Sequence, residues 1–99
     1  MEKAILIKAD GTKQTVKPKN GRYFKYDELS DMLGCELVQI ISNNSTAADI
    51  NLMCDEEGKS NTPTDINDEA TSLAREYRLI YPDDYLVGNV LFCNAKQLR

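Results

Sequence analysis

Three cysteines, sixteen carboxylates and twelve cationic side chains, with no histidine, make up the reactive inventory of this 99-residue chain. Without histidine the most versatile acid, base and metal ligand near neutral pH is missing, so neither a Ser-His nor a Cys-His nucleophile pair can be assembled within one chain. A cysteine nucleophile would need a lysine, an arginine or a helix N-terminus to hold its thiolate. Cys54 and Cys93 instead lie in apolar runs, and Cys35 directly follows Gly34, positions that suit structural thiols. An odd number of cysteines with no C-x-x-C pair fits reduced thiols better than a disulfide framework, and the spacing fails as a thiol zinc site. Phosphate-cradling loops of the GxxxxGK[ST] or GxGxxG kind are absent.

The densest charge cluster is Cys54-Asp-Glu-Glu-Gly-Lys59. Its simplest reading is a corner: a strand ends at Cys54, the acids stay hydrated, and Gly58 takes the positive φ of a tight turn. The sharper reading makes the polar loop from Asp55 to Asn67 a recognition edge, with Asp55, Glu56, Glu57, Lys59 and Asn67 as candidate binding residues. For an anionic ligand the contributors would be Lys59 and the amides of a helix start beside Asn67, a residue that also suits ordinary N-capping. Glu36, Asp83 and Asp84 flank apolar segments, where a carboxyl can hold its proton more tightly, yet no spacing singles them out. The run Asp65 to Glu76 supplies oxygens at several positions of a calcium loop, but Ala70 stands where that loop turns on glycine. No catalytic residue, metal site or cofactor is assigned.

These residues must be positioned by short elements. Asp10-Gly11 signals a two-residue hairpin pairing Ala9 with Thr12, between a β-rich run and a second extended run; Ala4 and Leu6 beside Ile5 and Ile7 make the first strand apolar on both faces, which suggests an interior place in a sheet. That register would bring Ile5, Ile7 and Val16 to one face. Pro18 to Gly21 punctuates the chain, and Leu29, Met32 and Leu33 then recur at helical spacing before Gly34, giving a helix over 26–33. Segments 36–42 and 49–54 read as a second hairpin. Asn67 opens a helix in which Ala70, Leu73, Ala74 and Tyr77 share a face and which Pro82, Asp83 and Asp84 end. A last strand over 85–93 is interrupted by Gly88, through a bulge or a close backbone approach. The expected fold is α+β, a single small domain of order β-β-α-β-β-α-β, its mainly antiparallel sheet and two helices closing on one thin core.

A formal net charge of −4 disfavours a nucleic-acid binder that relies on counterion release. Neither a signal-peptide core nor a membrane-length apolar run is present, so a cytoplasmic protein without a membrane partner is expected. The five tyrosines among seven aromatics suit protein interfaces as well as core packing with a wet hydroxyl. Leu91 and Phe92, on opposite faces of the last strand, leave open a homodimer that hides one sheet face.

Across nearly its whole length the chain resembles a small bacterial domain family of unknown function that is common on phages, plasmids and other mobile elements. The resemblance is carried by Asp10-Gly11, Phe24, Glu28-Leu29 and Gly34, then Glu56-Glu57-Gly58-Lys59, Asn67 with Ala70-Thr71 and Leu73, and Val87-Gly88 with Val90-Leu91. It departs where the family's glycine pair is Gly34-Cys35 and where a proline-rich approach to the second helix is reduced to Pro63. The resemblance implies a mobile-element or host accessory protein and brings no activity or catalytic residues. The expected function is a non-enzymatic binding or interaction module with a protein partner or small ligand. A metabolite- or nucleotide-sequestering protein and a carboxylate-dependent enzyme are the alternatives.

Overall fold

The computed structural model describes residues 4–35, 37–42, 50–55 and 66–94. Seven elements follow the expected order: β1 (Ala4–Ile7), β2 (Lys13–Val16), α1 (Tyr26–Leu33), β3 (Val38–Ser42), β4 (Ile50–Asp55), α2 (Asp68–Glu76) and β5 (Val90–Asn94). The strands form one antiparallel sheet ordered β2-β1-β5-β4-β3, an α+β domain in which the last strand lies at the centre.

That central place follows from the side chains. Val90, Leu91, Phe92 and Cys93 are all fully buried, and alternation sends them to opposite faces. On one face Ile7, Leu52, Val90 and Phe92 pack with Ala70 and Ala74 of α2 and with Leu79 and Leu86. On the other, Ala4, Leu6, Met53, Leu91 and Cys93 pack with Phe24, Leu29 and Leu33 at α1. The expectation of one thin core is therefore corrected: the helices attach to opposite faces, and the sheet separates two apolar layers. With both faces of β5 covered inside the chain, no second copy is needed to hide one.

The first hairpin also differs from its expected register. Ala4 pairs with Val16, Ile5 with Thr15 and Ile7 with Lys13. The loop holds three residues: Lys8 N–H donates to Thr12 O at 2.8 Å, and Gly11 N–H donates to Lys8 O at 2.9 Å. A two-residue type I′ turn needs positive φ at both central positions, but here only Gly11 has it, at 92°. Asp10 instead accepts the Thr12 amide on its side chain at 2.8 Å. The one-residue slip moves Val16 to the α1 face, with Ala4 and Leu6.

Helix α1 spans its expected residues, because Gly34 takes the left-handed C-cap (φ 66°) and Leu29 and Leu33 face the core. Helix α2 stops at Glu76, well before Pro82. Arg78 enters the left-handed region (φ 59°), so that its amide donates to Arg75 O and the Leu79 amide to Ala74 O, closing the helix end in the manner usually left to glycine. The last strand begins at Val90 rather than at 85; before it, Val87 makes only an isolated bridge to Ile66. Gly88 adopts φ 75° with no neighbour within 4 Å of where a Cβ would stand, so it serves backbone conformation and neither a bulge within the strand nor a close approach.

Candidate interaction edge

Of the candidate binding residues, Glu56, Glu57 and Lys59 lie outside the described residues. Asp55 is the last residue of β4, half-buried and directly opposite Val38 of β3. Asn67 is placed far from solvent, with no exposed surface. Its Oδ1 accepts the Ala70 amide at 3.0 Å, while Nδ2 donates to Ile7 O and to Gly88 O, each at 2.8 Å. Both side-chain N–H groups and the carbonyl are thus committed within the protein, and the N-capping role is the one its geometry displays. Beside it, Thr71 Oγ1 donates to Asn67 O at 2.7 Å and accepts the Leu86 amide at 2.9 Å. Asn67, Ala70 and Thr71 therefore form one hydrogen-bonded joint with the end of β1 and the approach to β5. The same joint accounts physically for the Asn-x-x-Ala-Thr and Val-Gly motifs occurring together, because Gly88 turns its carbonyl onto Asn67.

The ionisable groups are dispersed. Glu36 lies outside the described residues, Asp83 is exposed, and Asp84 accepts the Tyr85 amide at 2.8 Å. Glu28, which sequence reasoning passed over as a site, is the one buried carboxylate among the described residues. It accepts the amides of Lys19 at 3.1 Å and Lys25 at 3.5 Å, fastening the Pro18–Gly21 turn to the start of α1. Its place in the first helical turn was the available signal. Burial pushes the Cys93 thiol up to about 12, and burial followed by the Asp55 charge raises that of Cys35, so neither is disposed to ionise as a nucleophile. Among the described residues no three acidic or thiol groups converge as a metal site.

The surface is distinctive at one edge of the sheet. β2, on one edge, carries Lys13 and is followed by Lys17, charges that discourage edge-to-edge pairing. β3, on the other edge, reads Val-Gln-Ile-Ile-Ser and carries no charge. No described strand pairs with its outer side. The Val38 amide donates outward to the Tyr26 hydroxyl at 3.3 Å, so alternation along an antiparallel strand aims the backbone groups of Ile40 and Ser42 outward as well.

Exposed apolar side chains gather at this edge. Of the five large ones among the described residues, Ile40 (53% exposed) is on β3, Leu37 (47%) precedes it, Tyr26 (55%) touches it from the α1 side, and Tyr81 (78%) stands on the α2 side. A hollow of about 420 Å³ between Gln39 and Ile41 of β3 and the turn residues Arg78, Ile80, Tyr81 and Asp84 borders it. A further hollow of about 530 Å³ lies behind, between Arg75, Arg78, Ile80, Tyr81 and Pro82. Left-handed Arg78 shapes both. The apolar, uncharged composition of segment 38–42 was readable, but its place at an edge was not; nothing in the sequence signalled that Arg78 would take glycine's conformation.

No helix among the described residues is long and apolar enough to cross a membrane. Compared with protein-family models, with curated proteins and with solved structures, the chain finds no match.

Proposed function

We propose that this chain is a non-enzymatic interaction module that engages its partner through the outer edge of β3. The observation that carries this reading is the uncharged ladder of outward backbone groups at Val38, Ile40 and Ser42, framed by Tyr26, Leu37 and Tyr81. An extended segment laid against such an edge gains main-chain hydrogen bonds, and the exposed apolar side chains add contact on either face. Asp55, the last residue of β4, lies opposite Val38 on the inner side of β3 and leaves the outward ladder uncharged. The accessory setting on a mobile element is supported by the motif resemblance. Small-ligand sequestration is the second reading, supported by the two hollows around Arg78, whose sizes suit a ligand site.

The test is affinity capture from the source cell's lysate with wild-type and Ile40→Lys baits, followed by mass analysis of proteins and small molecules. A protein retained by the wild type and lost from the variant supports edge recognition. Equal protein capture by both baits, or a stoichiometric metabolite carried equally by both, refutes it.

A further inference from the structure

Resting on the edge-recognition reading above, the geometry points to a second copy of this chain as the occupant of the β3 edge, the two β3 strands pairing antiparallel about a twofold axis at Ile40. The outward backbone groups belong to alternate residues, Val38, Ile40 and Ser42. The symmetric register that uses all three sets Ile40 against Ile40, Val38 against Ser42 and Gln39 against Ile41. The Tyr26 hydroxyl stands where a partner carbonyl would meet the Val38 amide, so it is displaced as the strands join.

Three features favour a copy over an unrelated strand. First, an isologous contact places each surface against itself, so a single-signed patch would repel. β3 has no charge, and the flanking hollow contains both Arg78 and Asp84. Second, the formal net charge of −4 on each chain opposes association of copies in general, and β3 is a stretch of surface that adds nothing to that repulsion. Third, pairing about Ile40 covers its exposed side chain with its own symmetry mate, an apolar match that needs no complementary sequence elsewhere. The product is a continuous sheet running from one β2 edge to the other, ending at both sides on lysine-bearing strands.

The first measurement is mass by light scattering across a dilution series, for wild type, Ile40→Lys and Thr15→Lys. A dimer is expected for the wild type and for Thr15→Lys, which alters the β2 edge. Ile40→Lys should raise the dimer dissociation constant by roughly a hundredfold, since each dimer then sets two lysines together on an uncharged ladder. Ile40→Pro is a second disruptive variant. It removes an outward amide while leaving the side of β3 paired with β4 intact, and circular dichroism verifies that both variants remain folded.

Register is read separately in a Cys35→Ser, Cys54→Ala background, because Cys54 stands directly opposite Gln39 on β4 and would otherwise compete for a cysteine placed there. Opposed residues of a hydrogen-bonded pair lie about 5.5 Å apart at Cα, within disulfide range, so Ile40→Cys should cross-link on oxidation while Gln39→Cys should not. A wild type that stays monomeric at every concentration, an Ile40→Lys dimer as tight as the wild type, or cross-linking at position 39 instead of 40 overturns the proposal. A monomer that still captures a protein through Ile40 overturns the self-pairing and leaves edge recognition standing.

Discussion

Replacing Asn67 tests the account of the joint between α2, β1 and the approach to β5. Asn67→Ala removes the N-cap to the Ala70 amide and leaves the Ile7 and Gly88 carbonyls without their 2.8 Å donors. Loss of a cap costs about 1 kcal/mol, and a buried polar group stripped of its partner costs about 1–3 kcal/mol. Because these effects share one side chain they do not simply add, and about 2–4 kcal/mol is expected. That is a large share of the roughly 5–15 kcal/mol that stabilises a domain of ordinary size. Asn67→Ser retains a capping oxygen but neither donated bond, so it should recover about 1 kcal/mol of the loss.

Asn67→Asp gives the sharper result. It keeps the cap but sets a carboxyl oxygen against the two carbonyls that Nδ2 now serves. Burial and those oxygens raise the introduced carboxyl's pKa above its unfolded value of about 3.9, so the native state holds that proton more tightly. Its deficit relative to wild type therefore grows as pH rises through the folded pKa and shrinks in acid, where the protonated carboxyl can donate to one carbonyl. Urea unfolding followed by circular dichroism, with wild type and variants compared at each pH, measures both effects. A cost below about 1 kcal/mol for Asn67→Ala, or a pH-independent deficit for Asn67→Asp, would refute the reasoning.

Gly88→Ala should destabilise by about 1–2 kcal/mol in the same assay through its positive φ alone, since the space for a methyl group is open. Thiol labelling of the native protein at pH 8 should modify Cys35 ahead of the buried Cys54 and Cys93, with all three reacting after unfolding. The Cys93 thiol is raised from 9.0 to about 12, so its contribution to stability is complete below about pH 9 and is lost as pH climbs towards 12. A Cys93→Ala variant should show a shallower alkaline decline in urea midpoint than wild type. Asp10 is held below its usual range first by its side-chain hydrogen bond with Thr12, so the turn should keep this bond until pH falls through that lowered value. The chemical shift of the Thr12 amide, followed by nuclear magnetic resonance, should therefore change in acid, at a pH below the ordinary carboxylate range.

Strong local signals carried the element order. Gly34 marked the end of α1, the Ala70, Leu73, Ala74 and Tyr77 stripe marked α2, and the apolar doublet Leu91-Phe92 marked a strand. What local signals could not carry was the choice between near-degenerate backbone solutions. An Asp-Gly pair serves a two-residue hairpin and a three-residue loop alike, and the second was adopted with Asp10 itself holding the Thr12 amide. The end of α2 was misjudged because Arg78 performs a glycine's task, which composition does not announce. Strand order and the distribution of the helices between two faces depend on contacts distant in sequence. Asn67 stood out as a helix start, but its two donated bonds reach Ile7 and Gly88 and become visible only in three dimensions. Of the proposed site, the uncharged β3 segment was readable; its place at an edge was not.

The middle of the sheet is made last. Until β5 has been synthesised, the two hairpins β1–β2 and β3–β4 have no strand between them, and neither apolar layer can close. A nascent or truncated chain lacking that strand would present two incomplete oily surfaces together, so its maturation should be abrupt and its fragments exposed to proteases or chaperones.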